Sequence, residues 1–178
     1  MNNIEVEIRS FISKEKYFEL IDYFTKNSKL VKIEKDETEY YADQGAVRLW
    51  QNETEAKIIL KSGDIHDDQR EEQEIKIKRE EFPHLQKMFS RLGIEKQIKW
   101  KRTRHTFSSD GITIQLGDNV GYGYIIELEI MSSVESKDES IEVLKKKLSN
   151  LKIPLTSKEE FKASYETYKN NWKTLLSK

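Results

Sequence analysis

Cysteine is missing from all 178 residues, so disulfides and thiolate metal sites are excluded and an intracellular compartment is the natural expectation. Only three histidines are present, far apart at positions 66, 84 and 105, which argues against a histidine-built zinc site. No apolar run approaches the roughly 18 residues needed to span a bilayer. The first residues, MNNIEVEIR, lack the apolar stretch of a signal peptide, so a cytoplasmic location is expected. There is no glycine-rich phosphate loop, no repeat and no low-complexity linker. Charge of one sign is also missing: acidic and basic residues together form 35% of the chain yet leave a net charge of -1. A nearly neutral chain gives no whole-protein reason to expect nucleic acid or an anionic membrane as partner. One domain over residues 1–178 is the expected organisation, and a homodimer is one oligomeric state left open.

What the chain does have is alternation. In IEVEIRSF, Ile4, Val6 and Ile8 share one parity and Glu5, Glu7 and Arg9 the other, the pattern of a strand with one aliphatic and one charged face. Short strands of the same kind are expected in ETEYYAD, AVRLWQ, AKIILKS and QREEQEIKIK. A hairpin is expected from KQIKWKRTRHTFSS and GITIQLGD across Asp110-Gly111, and an eighth strand from GYIIELEIM. Helical stripes recur at Tyr17, Leu20, Ile21 and Phe24, with Ser13 as N-cap, and at Leu85, Met88, Phe89 and Leu92, with Gly93 closing the helix. Two helices follow: DESIEVLKKKLSNL, then one opening on a capping box of Thr156 with Glu159 or Ser157 with Glu160. That last helix carries Phe161, Tyr165, Tyr168 and Trp172 as a packing stripe. The expected class is α+β: an eight-stranded antiparallel β-barrel with helices packed outside.

Sorted by parity, the charges fall together. Arg70, Glu72 and Glu74 share a face, as do Glu127 and Glu129, and Arg102 and Arg104; Arg48 stands opposite Val47 and Leu49, and Lys57 and Lys61 opposite Ile58 and Leu60. If the helices cover the aliphatic faces of a closing sheet, the charged faces turn inward, where unpaired charge is costly. Such a lumen needs internal pairing, water, or a metal-bound polyanion. Carboxylates suit Mg²⁺ or Mn²⁺, and guanidinium and ammonium groups suit phosphate oxygens.

These segments resemble the CYTH superfamily, the triphosphate tunnel metalloenzymes. EVEIR is similar to its ExExK signature, YYADQGAVRLW to the segment ending in L-R-x-R, KIILKSG to T-x-K-G, and REEQE to R-x-E-x-E. KRTRHTF is similar to K-x-R-x-x-(Y/F) and GYIIELE to G-x-F-x-E-x-E. Six ordered segments over about 125 residues are far more specific than any one of them. The resemblance implies a metal-side set of Glu5, Glu7, Glu127 and Glu129, and a triphosphate grip of Arg9, Arg48, Lys61, Arg70, Arg102 and Arg104. Glu5, Glu7, Arg9 and Glu129 are the catalytic candidates. Glu72, Glu74 and, across a one-residue gap in LGDNVGYGY, Asp118 are expected to line the tunnel. Departures from the pattern are Arg9 for lysine, Ile59 for threonine, and Trp50 for the second arginine, where it either packs or stacks on a ring of the substrate. The function implied is a Mg²⁺- or Mn²⁺-dependent phosphohydrolase acting on inorganic, nucleoside or thiamine triphosphate. The alternative is a class IV adenylyl cyclase making cyclic AMP and pyrophosphate. A non-catalytic polyphosphate binder fits less well, because four carboxylates repel an anion unless metal is present.

Overall fold

The structure is a computed structural model that describes residues 3–41, 46–61 and 72–177. In chain order the elements are β1 (Asn3–Ile12), α1 (Lys14–Asn27), β2 (Lys29–Tyr41), β3 (Val47–Asn52), β4 (Ala56–Lys61) and β5 (Glu72–Ile77). A 3₁₀ turn at Arg79–Glu81 leads into α2 (Phe82–Arg91). Then come β6 (Lys96–Ser109), β7 (Ile112–Asn119), β8 (Gly123–Ser133), α3 (Lys137–Asn150) and α4 (Lys158–Leu175). The strands form one eight-stranded antiparallel sheet in the order β1-β8-β7-β6-β2-β3-β4-β5. The α+β class with its eight strands is the expected one; among the described residues the ladder ends at β1 and β5.

The chain divides into two compact units, Met1–Glu34 with Thr103–Glu166 and Lys35–Arg102 with Thr167–Lys178. In the first, the even residues Ile4, Val6 and Ile8 of β1 join Ile114 and Leu116 of β7 and Ile126 and Leu128 of β8. Against them pack Tyr17, Leu20 and Phe24 of α1 and Leu144 and Leu148 of α3. Ser13 caps α1 as expected, its hydroxyl accepting from the Lys16 amide at 3.1 Å. The β6–β7 turn carries positive φ at both Asp110 and Gly111, 54° and 75°, the twist a two-residue hairpin requires. Of the two expected caps of α4 it is Ser157 whose hydroxyl accepts from the backbone amide three residues on, that of Glu160.

Thr156 has another task. Its hydroxyl accepts from the Phe11 amide at 2.9 Å, while the fully buried Ser10 hydroxyl donates to the Pro154 carbonyl and accepts from the Thr156 amide, both at 2.7 Å. Ser10 thus clasps the segment between α3 and α4 to β1. Ser10→Ala leaves a carbonyl and an amide without that partner, and the expected cost is about 2 kcal/mol. At this chain length that lowers the thermal midpoint by roughly 4–8 °C, read by calorimetry.

In the second unit α2 lies over Tyr41, Leu49 and Ala56, with Val47, Ile58 and Ile77 at the margin. Leu85 and Phe89 of the expected stripe face inward together with Phe82, whereas Met88 and Leu92 are exposed. Phe82, Leu85 and Phe89 stand at i, i+3 and i+7, one face of the helix that follows the 3₁₀ turn. Strand β2 begins at Lys29, well before the expected ETEYYAD, because the lysine-rich stretch Lys29–Lys35 is an exposed extension of the same strand. On the α2 side of β2 sits Glu39, completely buried. Its carboxylate accepts from the Lys96 ammonium at 2.6 Å, the Tyr41 hydroxyl at 2.7 Å and the Gln86 amide at 2.8 Å. Burial pushes this carboxyl up, and the three donors outweigh it and hold it below the ordinary carboxylate range.

Candidate metal and phosphate site

The odd residues of β1 and β8 make the opposite face of the first unit. Strand pairing sets Glu7 against Glu129, Arg9 against Glu127 and Glu5 against Met131. Like charges directly opposed across a ladder repel, yet here a third carboxylate joins them. One oxygen each from Glu5, Glu7 and Glu129 lies within 4.8 Å of the others. Glu5 and Glu7 are exposed and Glu129 is half-buried. The Glu129 carboxyl is pushed up to about 7, by burial first and with help from the charges of Glu5, Glu127 and Glu7, against the downward pull of the Gln115 hydrogen bond.

Three hard oxygen donors at this spacing suit a divalent cation. Two ligands on one octahedral Mg²⁺ stand roughly 3–4 Å apart, given metal–oxygen distances of about 2.1 Å. Glu127 shares the face but is not in the trio; it stands opposite Arg9 on one side and Gln115 on the other. Arg9 places its guanidinium carbon 4.7 Å from the centre of the Phe161 ring, and Phe161 itself stacks on Phe11. This aromatic support fixes the direction of the guanidinium.

Gln115 of β7 is a residue that alternation alone did not single out. Its Nε2 donates to Glu129 Oε1 at 2.6 Å, and its Oε1 accepts from Arg104 Nη1 at 3.2 Å. The one signal for it is parity: in GITIQLGD it is the long polar side chain between Ile114 and Leu116, which are buried.

Asp118 is a correction. Strand pairing places it against Tyr124, one residue out of step with Gln115 and Glu127, and therefore on the face that α1 covers. There burial raises its carboxyl and Lys14 partly offsets the rise, while its charge helps push the Tyr17 phenol up to about 12, behind burial itself. Aligning it to the family aspartate needs the one-residue gap, and the gap reverses the face. His105 also lies on that side, in hydrogen-bond contact with the Tyr17 hydroxyl at 3.2 Å, and burial holds its imidazole below the usual range.

In the second unit Arg48 and Arg102, two of the residues expected to grip phosphate, both lie on the face of β2 that carries Asp36, Thr38 and Tyr40. The Arg48 guanidinium lies 4.2 Å from the Tyr40 ring centre. Lys57 pairs with Glu74 at 2.9 Å and stands 5.1 Å from the ring of Trp50. Arg102 donates from Nη2 and Nε to Asp36 Oδ1 at 2.6 and 3.0 Å, and from Nη2 to Thr38 at 3.2 Å, so any anion it binds shares it with a buried carboxylate. Lys61 opposes Glu72 in the β4–β5 ladder; their side chains, like Arg70, lie outside the described residues. Of the α4 stripe, Tyr168 packs here, stacking on Trp100 at 4.2 Å and donating to the Lys99 carbonyl, whereas Phe161 packs in the first unit.

The CYTH domain family matches residues 3–163. The chain belongs to this family. Solved CYTH-like folds superpose on nearly all of it. A conserved hypothetical protein from Pyrococcus furiosus is 23% identical, with a TM-score of 0.65 over 88% of this chain and 94% of its own. A protein from Pyrococcus horikoshii is likewise 23% identical, with a TM-score of 0.65 over 91% and 99%. A "putative adenylate cyclase" from Vibrio parahaemolyticus is 16% identical, with a TM-score of 0.62 over 92% and 99%. At these identities the likeness is one of CYTH fold. No curated protein matches the chain.

Proposed function

We propose that this CYTH protein is a divalent-metal-dependent triphosphatase. The observation that supports the reading best is the trio Glu5, Glu7 and Glu129, gathered on the same face and in the same unit as Arg9 and Arg104. A site meant only for an anion has no use for three converging carboxylates. A site meant only for a cation has no use for two guanidinium groups beside them.

In this reading Glu5, Glu7 and Glu129 hold Mg²⁺ or Mn²⁺. The ion supplies neutralisation of phosphate charge and activation of water at ordinary pH. Arg9 and Arg104 take the phosphate oxygens, with Arg9 held in direction by Phe161. Arg48, Lys61, Arg70 and Arg102 enter as further phosphate contacts on the strength of the family pattern, and Glu72, Glu74 and Glu127 as groups that orient the basic side chains. Positioning and charge neutralisation are the bulk of what phosphoryl transfer requires. The substrate is then a small triphosphate compound, free of nucleic acid and membrane. Among the described residues no helix is long and apolar enough to cross a bilayer, and we place the enzyme in the cytoplasm.

The test incubates the purified protein with tripolyphosphate, ATP or thiamine triphosphate and Mg²⁺ or Mn²⁺, and resolves the products. Orthophosphate released only with metal is the expected result. Cyclic AMP with pyrophosphate from ATP assigns an adenylyl cyclase instead, and no turnover of any triphosphate leaves a binding protein.

A further inference from the structure

We infer that Gln115 is a positioning residue for the metal carboxylates, and that it ties Arg104 to them. The inference rests on the metal reading of Glu5, Glu7 and Glu129. Its own observation is the relay Arg104 Nη1 to Gln115 Oε1 at 3.2 Å, and Gln115 Nε2 to Glu129 Oε1 at 2.6 Å.

The direction of this relay is set by chemistry. A guanidinium can only donate and an ionised carboxylate can only accept. The carboxamide between them therefore has one productive orientation, oxygen toward Arg104 and nitrogen toward Glu129. Were it reversed, an NH₂ would meet a guanidinium and a carbonyl would meet a carboxylate. Arg104 thus acts as the key that orients the amide, and the amide in turn occupies one oxygen of Glu129. Strand pairing supports the same geometry: Gln115 opposes Glu127 and reaches diagonally to Glu129, two residues further along β8.

Two consequences follow for a cation held by the trio. The carboxylate of Glu129 arrives with its rotation fixed, and one oxygen is already satisfied. Partners of this kind are worth about 10–100-fold in metal affinity. The relay also gives a phosphate that engages Arg104 a route to the metal ligands that does not pass through the metal.

The experiment measures Mn²⁺ affinity of the whole protein without substrate, by the loss of the free-ion EPR signal on titration. Gln115→Met keeps the length and removes both polar ends. It is expected to weaken Mn²⁺ binding about tenfold, with far-UV circular dichroism and the thermal midpoint in EDTA unchanged. Arg104→Met and the double variant complete a cycle. Loss of the Arg104 charge by itself affects cation binding in both backgrounds, so the cycle isolates the relay. Coupling of threefold or more, with the Arg104→Met effect altered when Met stands at 115, supports it. Equal affinity for Gln115→Met and wild type, or strictly additive effects, overturns it while leaving the metal site in place. Wild-type Mn²⁺ binding that is absent, or indifferent to Glu5→Gln, overturns both readings at once.

Discussion

If the proposed triphosphatase reading holds, Glu129→Gln is expected to lower metal-dependent phosphate release by roughly a thousandfold, because loss of a direct metal ligand exceeds the 10–100-fold cost of losing a partner behind it. Glu5→Gln acts in the same direction. Each change removes one negative charge from a trio whose oxygens lie within 4.8 Å of each other. The remaining pair binds the cation more weakly, so part of the lost rate returns at saturating Mn²⁺. The fold is expected to survive, since the substituted face opposes the one that packs on α1 and α3. Far-UV circular dichroism and a full metal titration of turnover distinguish a weakened site from a damaged fold. Wild-type rates in both variants at limiting metal would refute the metal assignment.

The second large effect is a pH dependence of stability that metal removes. Glu129 is pushed up to about 7 from an ordinary 4.5, by burial first. In the metal-free protein its folded-state value lies above its unfolded one, so the folded state binds the proton more tightly. That stabilisation is fully present below about pH 4.5 and is lost as pH rises through about 7. Cation binding needs the ionised form, so Mn²⁺ affinity falls as the pH drops below about 7, approaching tenfold per pH unit. The thermal midpoint in EDTA should therefore decline from about pH 5 to pH 8, and saturating Mn²⁺ should remove that decline. Calorimetric titration in two buffers of different ionisation enthalpy counts the proton released near pH 6. A metal affinity that is flat across this range would show that Glu129 is not among the ligands.

Much of this site is legible from alternation because a strand offers only two faces. Parity puts Glu5 with Glu7 and Glu127 with Glu129 on charged strand faces, the family resemblance joins the four as one set, and the Asp110-Gly111 turn fixes where β6 ends and β7 begins. The hairpin then fixes which residues of β7 share a face with the acids. What parity cannot supply is register. Gln115 gains its meaning only when β7 is laid against β8, which sets it within diagonal reach of Glu129. Asp118 shows the opposite case: counting by twos along β7 puts it with Ile114 and Leu116, and motif alignment with a gap moves it to the wrong side. Glu39 was hidden for a different reason. Nothing in ETEYYAD distinguishes a carboxylate that faces water from one buried against Lys96, Tyr41 and Gln86, because two of those donors lie more than 40 residues away. The aromatic residues of α4 were legible as packing, and the α2 stripe was legible in part: Leu85 and Phe89 face inward, while Phe82 replaces Met88 and Leu92.

The Ser10 clasp has a kinetic side. Its bonds close between residues 144 and 146 positions apart, and the β8 strand that completes the carboxylate trio follows β1 by more than a hundred residues. Contacts of such range form late, because a long loop must close before any of them is gained. At roughly 5–20 residues per second, a ribosome takes several seconds or more to deliver β8 after β1. Until then Glu5 and Glu7 have no Glu129, and Ile4, Val6 and Ile8 have no helix α3. The nascent chain therefore carries an unpaired first strand and an incomplete carboxylate trio, and both conditions end as the last third of the chain emerges.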